Sequence, residues 1–428
     1  MFANHSPECL PLRGRLPANS FAVPLREWLL SSNGRDAQMR VTAIETLIVD
    51  CDWRKPIFVR LRTEEGLTGL GECTATYGTG VLAVETMARE LGETFVVGRD
   101  PCNVEGIYQR IMRECFWARG AGNITLMSAI SGIEQACWDI FGKSVNLPVW
   151  ALLGGKCRDK VRVYANNWYV EARGDGRAEA FGEAAARTVE AGYTAMKFDP
   201  WMGLEKGRVG PGLYAERDIQ EGVIARVRLV REAVGPDVEI LLEAHACMNV
   251  PTAILMGKRL AEFDCFFYEE PVDPSNPAMM REVAQQSPIR LASGERIATT
   301  FGFREYIENQ SLAVIQPDTG ICGGILEAKK IASLAHTYQI YVAPHNCCGP
   351  VNTAASVHLD AAIPNFLIQE VFPCEPEYHY HLVEPALELS IKEGYVDVPN
   401  RPGLGVELNE EVAQAHRWDG NWTRYAGA

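Results

Sequence analysis

Residues 239–296 read EILLEAHACMNVPTAILMGKRLAEFDCFFYEEPVDPSNPAMMREVAQQSPIRLASGER, and three short apolar runs within them decide the fold. The runs cover 239–245, 266–270 and 289–295; each ends in a carboxylate-rich segment, and a stretch of helical periodicity separates one from the next. Such runs joined by helices mark parallel β/α units, whose strands are buried on both faces and so lack the polar alternation of a half-exposed sheet. The texture continues on both sides, with 161–167 and 194–199 before and 312–318, 340–346 and 366–370 after, eight runs in all. Eight successive units close a barrel, and the helical stretches 219–234 and 324–338 suit its outer ring. The expected class is α/β, a (β/α)7–8 TIM-type barrel over 161–374.

Upstream the pattern changes. Strand-like segments at 41–49, 57–62 and 68–71 precede helical periodicity at 82–91, 104–115 and 126–141, which predicts an N-terminal α+β capping domain over 40–160. Residues 375–428 return to strand and turn character and are expected to rejoin it. Residues 1–39 are expected to be a poorly ordered extension, because they lack the basic start, long apolar block and small-residue cleavage site of a secretory signal.

Composition narrows the function classes. The 428 residues are 47% apolar and 22% charged, as in ordinary globular proteins. No apolar run approaches the ~18 residues of a membrane span. A net charge of −14 repels nucleic acid and anionic lipid, leaving small molecules and copies of the chain itself, a homo-oligomer, as expected partners. The thirteen cysteines form no disulfide or zinc spacing pattern, which points to a reducing cytoplasm.

Catalytic side chains of a barrel sit at the C-terminal strand ends. Here those ends carry Asn166 and Asn167, Lys197 and Asp199, Glu243 and His245, Glu269 and Glu270, Glu295, Asp318, His345 and Glu370. Carboxylates gathered in one cup repel unless a cation or protons neutralise them. Glu243, Glu269 and Glu295 follow one another at intervals of 26 residues, one β/α unit each, which predicts three oxygens at matching depth on adjacent strands. That donor set suits Mg²⁺, one per subunit, rather than zinc, which prefers nitrogen and sulfur. Asp318 and His345 end neighbouring strands, where a carboxylate fixes the imidazole tautomer and raises its basicity, so His345 is the expected general base. His245, two residues after Glu243 and on the same face, reads as a general acid or as support for the metal ligands. Lys197 is expected to neutralise a substrate carboxylate, and Glu370 to donate a hydrogen bond if its surroundings keep it protonated. Asn167, Asp199 and Trp168 are the expected substrate-binding residues, although Asp199 and Glu270 also read as buried partners of loop cations. Cys347 and Cys348 read as packing residues.

With these residues placed, the chain resembles the mandelate racemase and muconate lactonizing group of the enolase superfamily, from about Met39 to about Glu410. The resemblance is carried by YEEP (268–271), SGER (293–296), QPD followed by GGI (316–325) and APHN (343–346), in that order. Sites of that superfamily use a Lys or His base with Mg²⁺. The histidine two residues after the first metal carboxylate is most similar to the galactonate and gluconate dehydratase branch. By position the resemblance implies Glu243, Glu269 and Glu295 as metal ligands, His345 with Asp318 as base, His245 as acid and Glu370 as the carboxylate of strand eight. It also implies that the N-terminal unit caps the barrel mouth, with loops 50–56 and 73–80 contributing specificity.

Three departures are visible: Glu243 replaces the usual Asp, residues 201–217 form a long Gly-rich loop, and Ala246, Cys247 and Met248 replace the Gly-Arg frequent in relatives. The Lys-x-Lys pair of the racemases is here Lys197, Phe198, Asp199, so a base for the opposite face is missing. Loss of a β-hydroxyl needs only base, metal and acid. The expected activity is therefore Mg-dependent dehydration of an aldonic acid to a 2-keto-3-deoxy acid. The alternatives are a cycloisomerase or epimerase of a related acid, and a non-catalytic sugar-acid-binding regulatory protein.

Overall fold

Pairing of backbone groups divides the chain into a small antiparallel sheet and a closed parallel one. The computed structural model describes residues 39–74, 79–120, 123–204, 215–372 and 377–421. The expected N-terminal extension lies outside them but for its last residue, as do parts of the expected specificity loop 73–80 and of the long loop 201–217.

Strands β1 (Val41–Ile48), β2 (Ile57–Thr63) and β3 (Thr68–Cys73) form the antiparallel sheet. Helix Ile124–Ser144 packs across it and is buried nearly all round, as its scarcely interrupted apolar composition requires. Gly69 and Gly71 permit this approach, since a Cβ there would stand 2.1 Å from the Ala136 carbonyl oxygen and 2.0 Å from that of Gly132. Helices Val81–Leu91 and Val104–Glu114 complete the unit.

The barrel strands are β4 (Lys160–Ala165), β5 (Ala195–Phe198), β6 (Glu239–Glu243), β7 (Phe267–Glu269), β8 (Leu291–Ser293), β9 (Val314–Ile315), β10 (Tyr341–Val342) and β11 (Gln369–Val371). Each apolar run yields one strand, and hydrogen bonding orders them β10-β9-β8-β7-β6-β5-β4-β11. A parallel bridge between Val342 and Phe366 closes the ring, with Val342 N donating to Asn365 O at 2.9 Å and Leu367 N to Val342 O at 2.8 Å. Asn249, Asn276 and Asn123 cap their helices through side-chain oxygens, the usual way of satisfying first-turn N–H groups. The C-terminal segment adds β12 (Val383–Glu384), β13 (Tyr395–Asp397) and β14 (Glu407–Leu408). Of these β13 pairs with β4, while Trp418 N returns to Ile48 O at 3.0 Å.

Buried carboxylates tie the capping unit to the barrel. Glu134 accepts from Ile325 N at 2.8 Å and Leu326 N at 3.0 Å, at the start of helix Ile325–Thr337. Glu72 likewise meets Gly349 N and Asn352 N at the start of helix Pro350–Ala362. Burial pushes Glu134 up to about 7 and Glu72 up to about 8, while the helix-start N–H groups pull both down. Because Glu134→Ala strands three donors, the two backbone N–H groups and the Trp138 indole N–H, it is expected to destabilise the fold by about 3 kcal/mol. Calorimetry of the variant checks this, and an unchanged melting temperature would show the tie to be dispensable.

One layer of side chains plugs the barrel and sets the level of the site above it. Tyr164, Ala195, Leu241, Phe267, Ala292, Val314, Ala343 and Ile368, one from each strand or its immediate continuation, pack together as a wholly buried cluster. Large residues alternate with small ones around much of the ring, which lets the layer fill its interior.

Candidate active site

Strand side chains repeat every second residue, so the layer above the plug is found by adding two to each plug position. This gives Asn166, Lys197, Glu243, Glu269, Gly294, Gln316, His345 and Glu370. The exception is β8, where Gly294 stands so close to β9 that a Cβ would lie 2.6 Å from the Gln316 backbone. The carboxylate is displaced to Glu295, in the turn after the strand. The expected matching depth thus holds for Glu243 and Glu269, which are registered opposite each other, and fails for Glu295, since Glu269 pairs with Ala292. The turn restores the convergence: one oxygen from each of the three glutamates lies within 4.8 Å of the other two.

These residues fit a metal. Glu243 Oε2 and Glu269 Oε1 are buried and without a hydrogen bond, an arrangement that is costly unless a cation occupies the free lone pairs. Glu243 Oε1 accepts from Ala244 N at 2.8 Å and His245 N at 2.6 Å, which leaves its other oxygen to point at the ion position. An all-oxygen donor set of this kind selects a hard divalent cation such as Mg²⁺.

His345 stands beside the triad. Its Nδ1 lies 2.8 Å from Asp318 Oδ2 and its Nε2 3.2 Å from Glu295 Oε2. Asp318 is itself held by Gly320 N, Thr74 Oγ1 and Asn352 Nδ2, at 2.7, 3.2 and 3.0 Å. Asn352 also donates to Asn346 Oδ1 and accepts from Gln135 Nε2 and Thr319 Oγ1, so one buried amide orients the pair and joins it to the capping unit. Asn352→Leu is expected to lower kcat by about 10–100-fold, the usual loss when an outer hydrogen-bond partner is removed, with little change in KM. Steady-state kinetics decide this, and an unaltered kcat would remove Asn352 from the positioning network.

His245 is held from another direction. Its Nδ1 is 2.7 Å from Asp199 Oδ2, and its side chain is 40% exposed. His245, Ala246 and Glu270 all have positive φ, at 43°, 60° and 37°, a conformation that non-glycine residues adopt at a cost and that clusters at functional sites.

Charge in the cup is tightly coupled. Burial opposes ionisation of His345, yet Cys347, Glu295, Glu370 and Asp318 outweigh it and hold the imidazole well above its usual range. His245 is likewise disfavoured by burial, and Glu243, Asp199 and Glu295 carry it up to about 10; solvent at its exposed edge screens part of that field. Glu295 is opposed by burial and held down to about 2 by His345, Arg296 and His245. Engagement of Glu295 by a cation would withdraw part of the support of His345 and lower it toward neutrality, whereas Asp199, outside the glutamate triad, would continue to favour a proton on His245.

The remaining expected residues have partners within the fold. Glu370 does not have the surroundings expected to keep it protonated: burial is outweighed by Lys197 and His345, which hold it below its usual range, and it accepts from Asn166 Nδ2 at 2.6 Å and Asn346 N at 2.9 Å. Lys197, expected to meet a substrate carboxylate, lies fully buried between Glu269 Oε2 at 2.8 Å, Glu370 Oε1 at 3.1 Å and Glu243 Oε2 at 3.7 Å, so it balances carboxylates of the protein. Asp199 uses one oxygen for His245 and the other for Trp201 N and Met202 N. Trp168 gives its indole N–H to Lys197 O at 2.8 Å and packs on Phe198; its polar handle is engaged within the fold. Asn166 rather than Asn167 reaches the carboxylate layer, and Asn167 sits at φ 66° in the turn beyond it. Glu270 pairs with Arg296 at 3.2 Å, as a buried partner of a loop cation. Arg296, which also meets Glu295 at 3.1 Å, was visible in SGER without a role. Cys347 and Cys348 pack against Phe372 and Trp53 as expected, and in addition the neighbouring Cys348 and His345 outweigh burial and hold the Cys347 thiol down to about 6.

Comparison with known proteins agrees with this geometry. Residues 37–154 match the mandelate racemase / muconate lactonizing enzyme N-terminal domain, and residues 180–412 match the enolase C-terminal domain-like family. The chain belongs to the mandelate racemase/muconate lactonizing enzyme family of the enolase superfamily. Within this family it is 34% identical over 391 residues to D-xylonate dehydratase of Haloferax volcanii, covering 90% of each chain. It is 33% identical over 385 residues to D-galactonate dehydratase of Cronobacter sakazakii, covering 88% of this chain and 94% of that one. A solved enolase-superfamily member from Salmonella Typhimurium superposes with a TM-score of 0.81 at 37% identity, covering 88% of this chain and 98% of that one. The barrel and its α+β cap are therefore those of the family. Among the described residues no helix is long and apolar enough to cross a membrane.

Proposed function

We propose that this chain is a Mg²⁺-dependent acid-sugar dehydratase that converts an aldonic acid into its 2-keto-3-deoxy acid. The observation that carries the reading is the placement of two carboxylate-paired histidines on opposite walls. His345 follows β10 and His245 follows β6, and three strands separate these on either side of the ring. Relatives named for dehydration of xylonate, galactonate and gluconate support the substrate class.

A divalent cation held by Glu243, Glu269 and Glu295 would supply positive charge at the substrate carboxylate and so ease removal of the adjacent C2 proton. His345 takes that proton at Nε2, because its Nδ1 is committed to Asp318. His245, its own Nδ1 held by Asp199, gives a proton from Nε2 to the departing C3 hydroxyl. The C3 hydroxyl leaves as water with the proton from His245, the C2 proton stays on His345 until exchange with solvent resets both imidazoles, and the enol that remains tautomerises to the ketone. Proton removal on one wall and delivery on the other make the elimination anti. Lys197 keeps Glu269 and Glu370 from repelling each other, and Arg296 does the same for Glu295 and Glu270. The free thiols of all eleven described cysteines support a reducing cytoplasm as the setting.

The test is incubation with Mg²⁺ and a panel of aldonic acids, followed by mass spectrometry and NMR. Loss of one water with formation of a 2-keto-3-deoxy acid is expected. Conversion at constant mass would instead identify a cycloisomerase or epimerase. Failure of any bound acid to exchange its C2 hydrogen with deuterated solvent would identify a binding protein.

A further inference from the structure

The turn after His345 carries two adjacent thiols that the proposed chemistry does not use. Cys347 and Cys348 are 6% and 3% exposed, and their sulfurs lie 3.9 Å apart. With Phe372 and Trp53 they form an apolar cluster distinct from the main core. Arg54, reaching over from the capping unit, fixes the turn through its backbone: Nη1 donates to Cys347 O at 2.9 Å and Cys348 O at 3.0 Å. Its guanidinium lies 5.1 Å from the Trp53 ring and 4.8 Å from that of Phe372. The clamp on the two carbonyls therefore fixes the backbone from which both sulfurs project. Cys348 Sγ donates to Thr74 O at 2.9 Å, so a proton sits on that sulfur while Cys347 is the more acidic of the two.

Two sulfurs held at this spacing match the edge of a soft-ion coordination tetrahedron, for a Zn–S bond of about 2.3 Å separates ligand sulfurs by about 3.8 Å. Disulfide formation would require closure to about 2.05 Å, against the clamp on both carbonyls. The glutamate triad offers only oxygen and selects hard cations, whereas thiolates select soft ones. We propose that Cys347 and Cys348 form a second ion site, specific for a thiophilic divalent cation such as Zn²⁺ or Cd²⁺, and that its occupation disables the neighbouring His345. On binding, two sulfur–metal bonds form, the proton on Cys348 passes to solvent along with any on Cys347, and no oxidation state changes. The metal neutralises the two thiolates it binds, so their charge no longer supports the imidazole, and the turn that carries His345 is pinned. Loss of turnover rests on the function proposed above; binding of the ion does not.

The experiment uses the full chain with saturating Mg²⁺ and Cd²⁺ as probe. A thiolate-to-cadmium charge-transfer band in the ultraviolet should saturate near one equivalent, since carboxylate-bound cadmium gives no such band. Cys347→Ser and Cys348→Ser should each weaken binding more than tenfold, while Cys265→Ser should leave it unchanged. Persistence of the band in the double serine variant, or its absence from the wild type, overturns the site. Should the variants fail to fold, peptide mapping of the wild type serves: Cd²⁺ should protect Cys347 and Cys348 from alkylation, and equal labelling with and without it overturns the site. Where dehydration is observed, Cd²⁺ should inhibit the wild type and spare Cys348→Ser. Binding without inhibition would refute the effect on His345 alone.

Discussion

His345→Asn is expected to lower kcat for dehydration by about 10²–10⁴-fold, the range that a positioned general base contributes. Asparagine can still hydrogen-bond to Asp318, whose carboxylate is independently fixed by Gly320, Thr74 and Asn352, so the fold and the glutamate triad should survive. The loss should therefore appear in kcat, with Mg²⁺ affinity retained. Exchange of the C2 hydrogen with deuterated solvent should vanish together with turnover, because both require the same proton transfer. In His245→Asn exchange should persist while elimination stops, since only the leaving hydroxyl loses its proton source. Measurement of exchange and product by NMR on the two variants separates the roles. Exchange in His345→Asn at a rate within tenfold of wild type would remove His345 as the base.

Glu269→Gln carries the second large effect. It removes an anionic ligand while keeping the volume, and Mg²⁺ affinity is expected to fall by more than about 100-fold, beyond the 10–100-fold typical of outer-shell losses. The fold should tolerate the change, because burial and the neighbouring Glu243 already raise Glu269 well above the usual carboxylate range. Glu270 is similarly pushed up by burial and Glu295, to about 8. A carboxyl whose folded pKa is raised binds its proton more tightly folded than unfolded, so stability is lost as pH rises. Chelator-treated wild type should accordingly melt at a lower temperature at pH 8 than at pH 5, with a shallower fall in Glu269→Gln, and Mg²⁺ should flatten the slope. Thermal melts across pH with and without chelator report this; a wild-type curve insensitive to Mg²⁺ would contradict the metal site.

Much of this architecture was legible because strands impose a period of two. The eight apolar runs located every barrel strand, and seven of the eight plug positions lead by two residues to a polar member of the cup. Glu295 was found for an incomplete reason: equal sequence spacing suggested equal depth, whereas close contact between Gly294 and β9 shifts the carboxylate into the next turn. The partners of the other strand-end residues were hidden for one reason. Asp199, Glu370 and Lys197 each acquire their partners from other strands or loops, 46, 204 and 72 residues away in the cases of His245, Asn166 and Glu269. Single-strand periodicity contains none of that pairing. Arg54, Glu72, Gln135 and Asn352 were silent for the same reason, since their roles arise only where the capping unit meets the barrel. The packing of Cys347 was legible, whereas the influence of Cys348 and His345 on its thiol was not, since it depends on the conformation of one turn.

The claim on which the account turns is that three glutamates hold one cation within reach of His345. Anomalous diffraction from a crystal of the full chain containing Mn²⁺ and an aldonate that the enzyme does not turn over tests it most directly. One manganese peak is predicted between Glu243, Glu269 and Glu295, with C2 of the acid within about 3.5 Å of His345 Nε2 and its C3 hydroxyl toward His245. A peak elsewhere, or an acid whose C2 faces the β6 wall, would contradict it.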